Sequence, residues 1–168
     1  GGHDLGGTFG LTFEKHLALD VARRVDVYLR SQGISTKLTR SNDSFISLPR
    51  RARIANAESG AIFVSIHFNH ARSRKAAGIE TFYHSRNKQS LKLAHMIQSA
   101  ALYKTRAGNR GVKKGNFLVL SKNNRPAVLL ECAFLSNSSD RYRALDPEYR
   151  QRIAEAVAMG IIKFRQSK

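Results

Sequence analysis

Phe63-Val64-Ser65-Ile66-His67-Phe68-Asn69 is the stretch whose reading decides the fold. From Ile62 to Ile66 the residues are β-branched, aromatic or small, none is charged, and Glu58-Ser59-Gly60 supplies a turn just before them. A short apolar run bounded by a turn reads as a buried strand of an α/β sheet. His67 follows where a parallel strand would end, and ligands in open α/β sheets gather beyond the carboxyl ends of the strands. Taken alone, a histidine there favours the plainer role of capping the strand by hydrogen bonding. Its meaning depends on what else reaches the same edge.

Working outward, His70 to Ala77 is a basic connection and Gly78 to His84 reads as the next strand. Leu91, Leu93, Ala94, Ile97, Ala101 and Leu102 mark an amphipathic helix over Ser90 to Tyr103. Residues 104 to 116 read as a basic, glycine-dotted loop, and Phe117 to Leu120 and Ala127 to Glu131 as two strands. The continuous apolar run Ala127-Val128-Leu129-Leu130 predicts a fully buried strand that ends in Glu131. Asp146-Pro147 opens a last helix with Ile153, Ala154, Val157, Ile161, Ile162 and Phe164 inward.

On the amino-terminal side, Leu17, Ala18, Val21, Ala22, Val25, Tyr28 and Leu29 predict a helix that stops at Gly33. Ile34 to Thr39 alternates like a strand, and Leu48 to Ser59 suits a second helix. Before them lies a loop, Gly1 to Gly10, with five glycines. No repeat or linker interrupts this alternation. The chain is therefore expected to be a single α/β domain over residues 1–168, with a mixed, mostly parallel central sheet flanked by helices on both faces.

Charge narrows the partners. Lys+Arg 29 against Asp+Glu 12 gives a net charge of +17, which favours a polyanion: nucleic acid, an anionic lipid surface or an acidic envelope polymer. No aromatic-rich strand motif or recognition helix supports specific nucleic-acid binding. No segment approaches the roughly 20 apolar residues of a membrane span. The one cysteine, Cys132, cannot form an internal disulfide and reads as a small buried hydrophobe.

Three ionisable residues share one pattern. His67 and Glu131 each close an apolar strand, and Glu14 opens a helix after the glycine loop. If the sheet is parallel at its centre, all three reach the same edge. An imidazole and a carboxylate are good zinc ligands, catalytic zinc takes three protein ligands plus water, and a further carboxylate can take the proton of that water. An apolar approach such as Ala127 to Leu130 would raise the pKa of Glu131, as a general base needs. The plainer role for Glu14 is to complement the positive end of the helix dipole.

Gly1-Gly2-His3-Asp4-Leu5-Gly6, Glu14-Lys15, Leu38-Thr39-Arg40 with Asp43, and Arg51 through Asn56 form a series with Ser65 to Asn69, Gly78-Ile79-Glu80, Leu129-Leu130-Glu131 and Phe134-Leu135-Ser136-Asn137 with Asp140. In order and spacing this series resembles the zinc-dependent N-acetylmuramoyl-L-alanine amidases of the Amidase_3 type. The resemblance covers nearly the whole chain. It implies hydrolysis of the amide between MurNAc and L-alanine in peptidoglycan, with Zn2+ as cofactor, Glu14 and His67 as zinc ligands and Glu131 as the catalytic carboxylate. It also implies action in the periplasm or at the extracellular cell wall, by a chain expected to be monomeric; an activator protein is left open.

The family's first zinc ligand is the histidine of a Gly-His-Gly-Gly-x-Asp motif, of which Gly1-Gly2-His3-Asp4 matches the last four positions. The ligand is therefore expected to precede Gly1, in a chain clipped inside the motif and without its first strand; His3, on the variable position, is the rival stand-in. Some relatives carry a helix after the position of His67 that blocks the zinc, and the short Asn69 to Ala77 link leaves no room for one. Arg40 and Arg51 are expected to be structural or substrate-facing. Asn69 reads as a turn residue or a substrate contact, and Glu80 as a solvated strand position, a substrate contact or a support for a histidine. The alternatives are a zinc carboxypeptidase acting on stem peptides and a non-catalytic basic binder of peptidoglycan or nucleic acid.

Overall fold

A computed structural model describes residues 1–167; Lys168, the last residue of the expected domain, lies outside the described residues. The elements are β1 (Thr8–Phe9), β2 (Thr12–Phe13), α1 (Glu14–Ser31), α2 (Leu48–Asn56), β3 (Phe63–Asn69), β4 (Ile79–Tyr83), α3 (Lys88–Thr105), β5 (Asn109–Lys114), α4 (Leu118–Ser121), β6 (Ala127–Phe134), α5 (Ser138–Leu145) and α6 (Pro147–Gln166). β1 and β2 form a small antiparallel hairpin, and the main sheet runs in the order β3-β6-β4-β5. β3 is parallel to β6 and β4 to β5, while β4 and β6 are antiparallel. The fold is thus the single α/β domain with a mixed sheet that the alternation of patterns predicts.

All eight residues of β6 are buried, because it is central and covered on both faces. Val128, Leu130 and Cys132 face a large core formed with α1, α3 and α6. Ala127 and Leu129 face a smaller cluster with Phe63, Ala55 of α2, and Val119 and Leu120 of α4. On α1 the residues Leu17, Val21, Val25 and Leu29 are buried at a spacing of four, and each such burial contributes about 1.5–3 kcal/mol. Pro147 at the first position of α6 and the Asp146 side chain, which accepts from the backbone N–H of Glu148, fix where that helix starts.

α3 and α6 meet at Gly160. A Cβ there would stand 2.7 Å from Cγ1 of Ile97 and 2.9 Å from its Cα. Backbone cannot yield as a side chain does, so Gly160→Ala is expected to cost about 1–3 kcal/mol, at roughly 2–4 °C of melting temperature per kcal/mol. A thermal melt that matches the parent would show that the helices move apart freely.

Three local expectations are corrected. Phe117 to Leu120 is not a strand: α4 is helical, which lets the adjacent Val119 and Leu120 both enter the smaller cluster, whereas in a strand they would face opposite sides. The stretch 104 to 116 is not all loop, because it holds β5, an edge strand whose charge and glycine hide its period. Ile34 to Thr39 pairs with no strand; across from it, beside the free edge of β3, runs a cavity of about 960 Å³ lined by Leu29, Ile34, Leu38, Ile62, Val64 and Ile66. Among the described residues no strand pairs with Ile34 to Thr39; its bonds run back to α1, where the Ile34 N–H donates to the Leu29 carbonyl and the Thr36 carbonyl accepts from Arg30. The connection from β3 to β4 contains no helix.

Candidate active site

The large core covers one face of the sheet, apart from the cavity beside β3. On the other, the short α2 and α4 cover only the ends of β3 and β6 that begin with Phe63 and Ala127. Beyond that cover His67 is the register partner of Glu131, and Glu131 that of Glu80. Residues in register share a face, so the three form one row across β3, β6 and β4.

Glu14, the first residue of α1, closes on this row from the glycine loop. Its Oε1 lies 2.6 Å from Nδ1 of His67 and accepts from the backbone N–H of Phe68 at 3.3 Å. Its Oε2 accepts from the N–H of Gly7 at 2.6 Å. Gly6 has φ of 69°, and a Cβ there would strike the Glu14 carboxylate, so this turn requires glycine. Burial alone would raise the Glu14 carboxyl, but the hydrogen bond and charge of His67 and the two backbone N–H groups outweigh it and leave it below the usual range. Burial likewise pushes the His67 imidazole down, and the hydrogen bond and charge of Glu14 outweigh it and leave it raised. The other imidazole nitrogen, Nε2, is 2.9 Å from Oγ of Ser65.

Glu131 is treated differently. It is 9% exposed, and its Oε2 is buried with no hydrogen-bond partner among the described residues. Burial pushes its carboxyl up; the His67 charge pulls it back, the Glu14 and Glu80 charges raise it again, and it settles at about 7. A carboxylate with an unused oxygen and a pKa near neutrality is equipped to accept and release a proton.

Glu80 is 4% exposed and meets no histidine. Its Oε2 takes Arg110 Nε at 2.9 Å and Lys113 Nζ at 2.6 Å, and its Oε1 accepts from Nδ2 of Asn69 at 3.1 Å. Burial would raise this carboxyl, but the two cations hold it low. Arg110 and Lys113 escaped the sequence reading, because a basic edge strand looks like a solvated loop; Gly111 within it was the only signal of a bend.

The amino-terminal loop is tied to the same site. Lys15 Nζ donates to the Gly2 carbonyl at 3.1 Å and to Asp43 Oδ2 at 2.6 Å, and Asp43 Oδ1 accepts from the Gly2 N–H. Arg40 donates to the carbonyls of Lys15 and Asn42, and Arg51 to that of Ile46, which makes both structural. A cleft of about 300 Å³ lies between Gly1, Glu14, Arg40, Arg51, Ser65 and His67. His3 is not brought to it: the ring stacks on Phe45 at 4.2 Å and is exposed.

The donor set bears on the zinc that the resemblance implies. Glu14 and His67 present an oxygen and an imidazole nitrogen within 2.6 Å of each other, a pair whose chemistry fits zinc. Among the described residues no third histidine, cysteine or acidic residue joins them. The residues present thus fit as two of the three donors that a catalytic zinc takes.

Comparison with known proteins finds a matching family and solved structures of the same fold. The profile of the Amidase_3 family, described as N-acetylmuramoyl-L-alanine amidase, matches residues 1–163. The crystal structure of an N-acetylmuramoyl-L-alanine amidase from Clostridium difficile 630 superimposes with a TM-score of 0.96 at 34% identity, covering 100% of this chain and 93% of that one. The CwlD amidase of Clostridioides difficile, solved in complex with the GerS lipoprotein, gives 0.95 at 30% identity and covers 100% of this chain and 95% of its own. The N-acetylmuramoyl-L-alanine amidase LytC of Bacillus subtilis is 34% identical over 166 residues, 98% of this chain, which spans 34% of that protein.

Proposed function

The chain belongs to the Amidase_3 family of N-acetylmuramoyl-L-alanine amidases, and we propose on that premise that it hydrolyses the amide between MurNAc and L-alanine in peptidoglycan, outside the cytoplasm at the cell wall. The observation that carries this reading is the unpartnered Oε2 of Glu131, in register with His67 of the Glu14–His67 pair. No helix among the described residues is long and apolar enough to cross a membrane.

In this reading Glu14 and His67 hold zinc, with a third donor expected from the motif position before Gly1. Zinc bound there would polarise the scissile carbonyl and lower the pKa of the attacking water. Glu131 takes the proton of that water as its oxygen bonds to the carbonyl carbon. It returns the proton to the nitrogen of L-alanine as the C–N bond breaks. Ser65 and the backbone N–H groups of Gly7 and Phe68 hold His67 and Glu14 in their orientations. Asn69 is turned by Glu80, which takes its Nδ2 and leaves the side-chain oxygen to accept from a substrate N–H. With +17 of net charge, the enzyme is drawn to an acidic wall polymer and is weakened by salt.

Zinc titration tests the ligand assignment. The chain extended by Gly-His before Gly1 is expected to bind one zinc far more tightly than the chain of 168 residues, with loss of binding in His67→Ala and none in His3→Ala. Tight one-to-one binding by the unextended chain that disappears with His3→Ala would make His3 the third ligand.

A further inference from the structure

We propose that Arg110 and Lys113 form an anion subsite beside the row of His67, Glu131 and Glu80, and that it takes the free α-carboxylate of the second residue of the stem peptide. The proposal rests on the amidase reading above.

The two side chains are three residues apart on β5, so in a regular strand they would face opposite sides of the sheet. They face the same one. The ladder between β4 and β5 pairs Ile79 with Asn109 and Glu80 with Gly111, so that Arg110 is an extra residue in a bulge. Gly111 has φ of 84°, the left-handed conformation that such a bend takes. Bulges beside sites re-aim a side chain, and this one brings Arg110 to the same oxygen of Glu80 that Lys113 holds. The guanidinium also lies over the Phe134 ring, 4.7 Å from its centroid, which fixes its plane.

Neutralising Glu80 needs one cation, and two are present. Arg110 uses only Nε on Glu80, and its terminal nitrogens have no hydrogen-bond partner among the described residues. Lys113 spends one N–H on Glu80 and has two left. Both side chains remain partly exposed, at 34% and 39%, although Glu80 beneath them is buried. The pair therefore offers unused, fixed donors and a surplus positive charge to the surface, the arrangement that binds a carboxylate.

Reach identifies which carboxylate. β5 lies two strands from β6, roughly 10 Å at the usual strand spacing. Two extended residues from the scissile nitrogen span about 7 Å, and the long cationic side chains close the rest. In the stem peptide the second residue is a γ-linked D-glutamate, whose α-carboxylate is free in one chemical form of the wall and amidated in another.

The test uses two muramyl dipeptides that differ only there, N-acetylmuramoyl-L-alanyl-D-isoglutamate and its isoglutamine counterpart. Binding is measured by calorimetry in the Glu131→Gln background, where turnover does not interfere. The acid is expected to bind about tenfold or more tightly than the amide at low salt, as suits a charge-assisted pair. Lys113→Met is expected to bring the two within about twofold, and Arg110→Lys, which keeps the charge on Glu80 but loses the planar fork, to lie between. Equal affinities in the parent background, no binding of the acid, or a preference unchanged by Lys113→Met would overturn the subsite. Affinity that appears only with a third residue bearing its own carboxylate would overturn the assignment to the second. Failure of the zinc-loaded chain extended by Gly-His, with Glu131 intact, to hydrolyse either compound would instead count against the amidase reading, since the binding difference is read without turnover.

Discussion

Glu131→Gln is expected to remove hydrolysis and, at the same time, to make the metal-free protein more stable above pH 7. The kinetic loss should be on the order of 10² or more, because a carboxamide cannot accept the proton of water at neutral pH. The stability gain follows from burial, which raises the carboxyl from an ordinary 4.5 to about 7 in the folded chain. A group whose pKa is raised on folding contributes stability that is fully present below about pH 4.5 and is lost as pH rises through about 7. The difference, at about 1.4 kcal/mol per pH unit, makes the ionised side chain cost about 3 kcal/mol. Glutamine carries no such penalty. Melting curves in chelator should therefore show the parent losing stability between pH 5 and pH 8 and the variant losing less. Near-normal turnover in the variant would move the proton transfer to another residue.

Asp140→Ala is expected to destabilise the fold by about 2–6 kcal/mol and to lower activity with it. Asp140 is 5% exposed, and one of its oxygens, Oδ2, accepts from the buried N–H groups of Gly78 at 2.8 Å and Phe134 at 2.9 Å. Removing the carboxylate strands both, at about 1–3 kcal/mol each. The two bonds pin the chain just before Glu80 on β4 and just after Glu131 on β6, so their loss loosens the row that holds the site. Asp140→Asn keeps an oxygen in the same place and should cost far less. Urea unfolding that finds less than about 1 kcal/mol lost in Asp140→Ala would show that these N–H groups find other partners.

Both predictions depend on positions that differ in how readable they were. The strands β3 and β6 were legible from their apolar runs, but not their ends: β3 continues past His67 to Asn69 and β6 past Glu131 through buried Cys132 and Ala133 to Phe134. That Glu14 reaches His67 across 53 residues was not a matter of periodicity. It depends on the turn at Gly6 and the Gly7 N–H; the shared placement at strand ends and a helix start put Glu14 at the same edge, and the resemblance of motifs gave the pair its role. Arg110 and Lys113 were hidden because the bulge that unites them has no hydrophobic signature. Four apolar residues at Phe117 to Leu120 were too short for their period to tell helix from strand. The extended Ile34 to Thr39 failed as a strand for a reason outside its own sequence, the lack of a neighbour across the cavity beside β3.

The measurement that bears most directly on the proposed function is mass analysis of products from purified peptidoglycan treated with the zinc-loaded chain extended by Gly-His. Glycan strands with bare lactyl groups, together with intact stem peptides that begin at a free L-alanine amine, are expected. Stems shortened from the carboxyl end, still attached to MurNAc, would contradict the amidase reading and identify a carboxypeptidase.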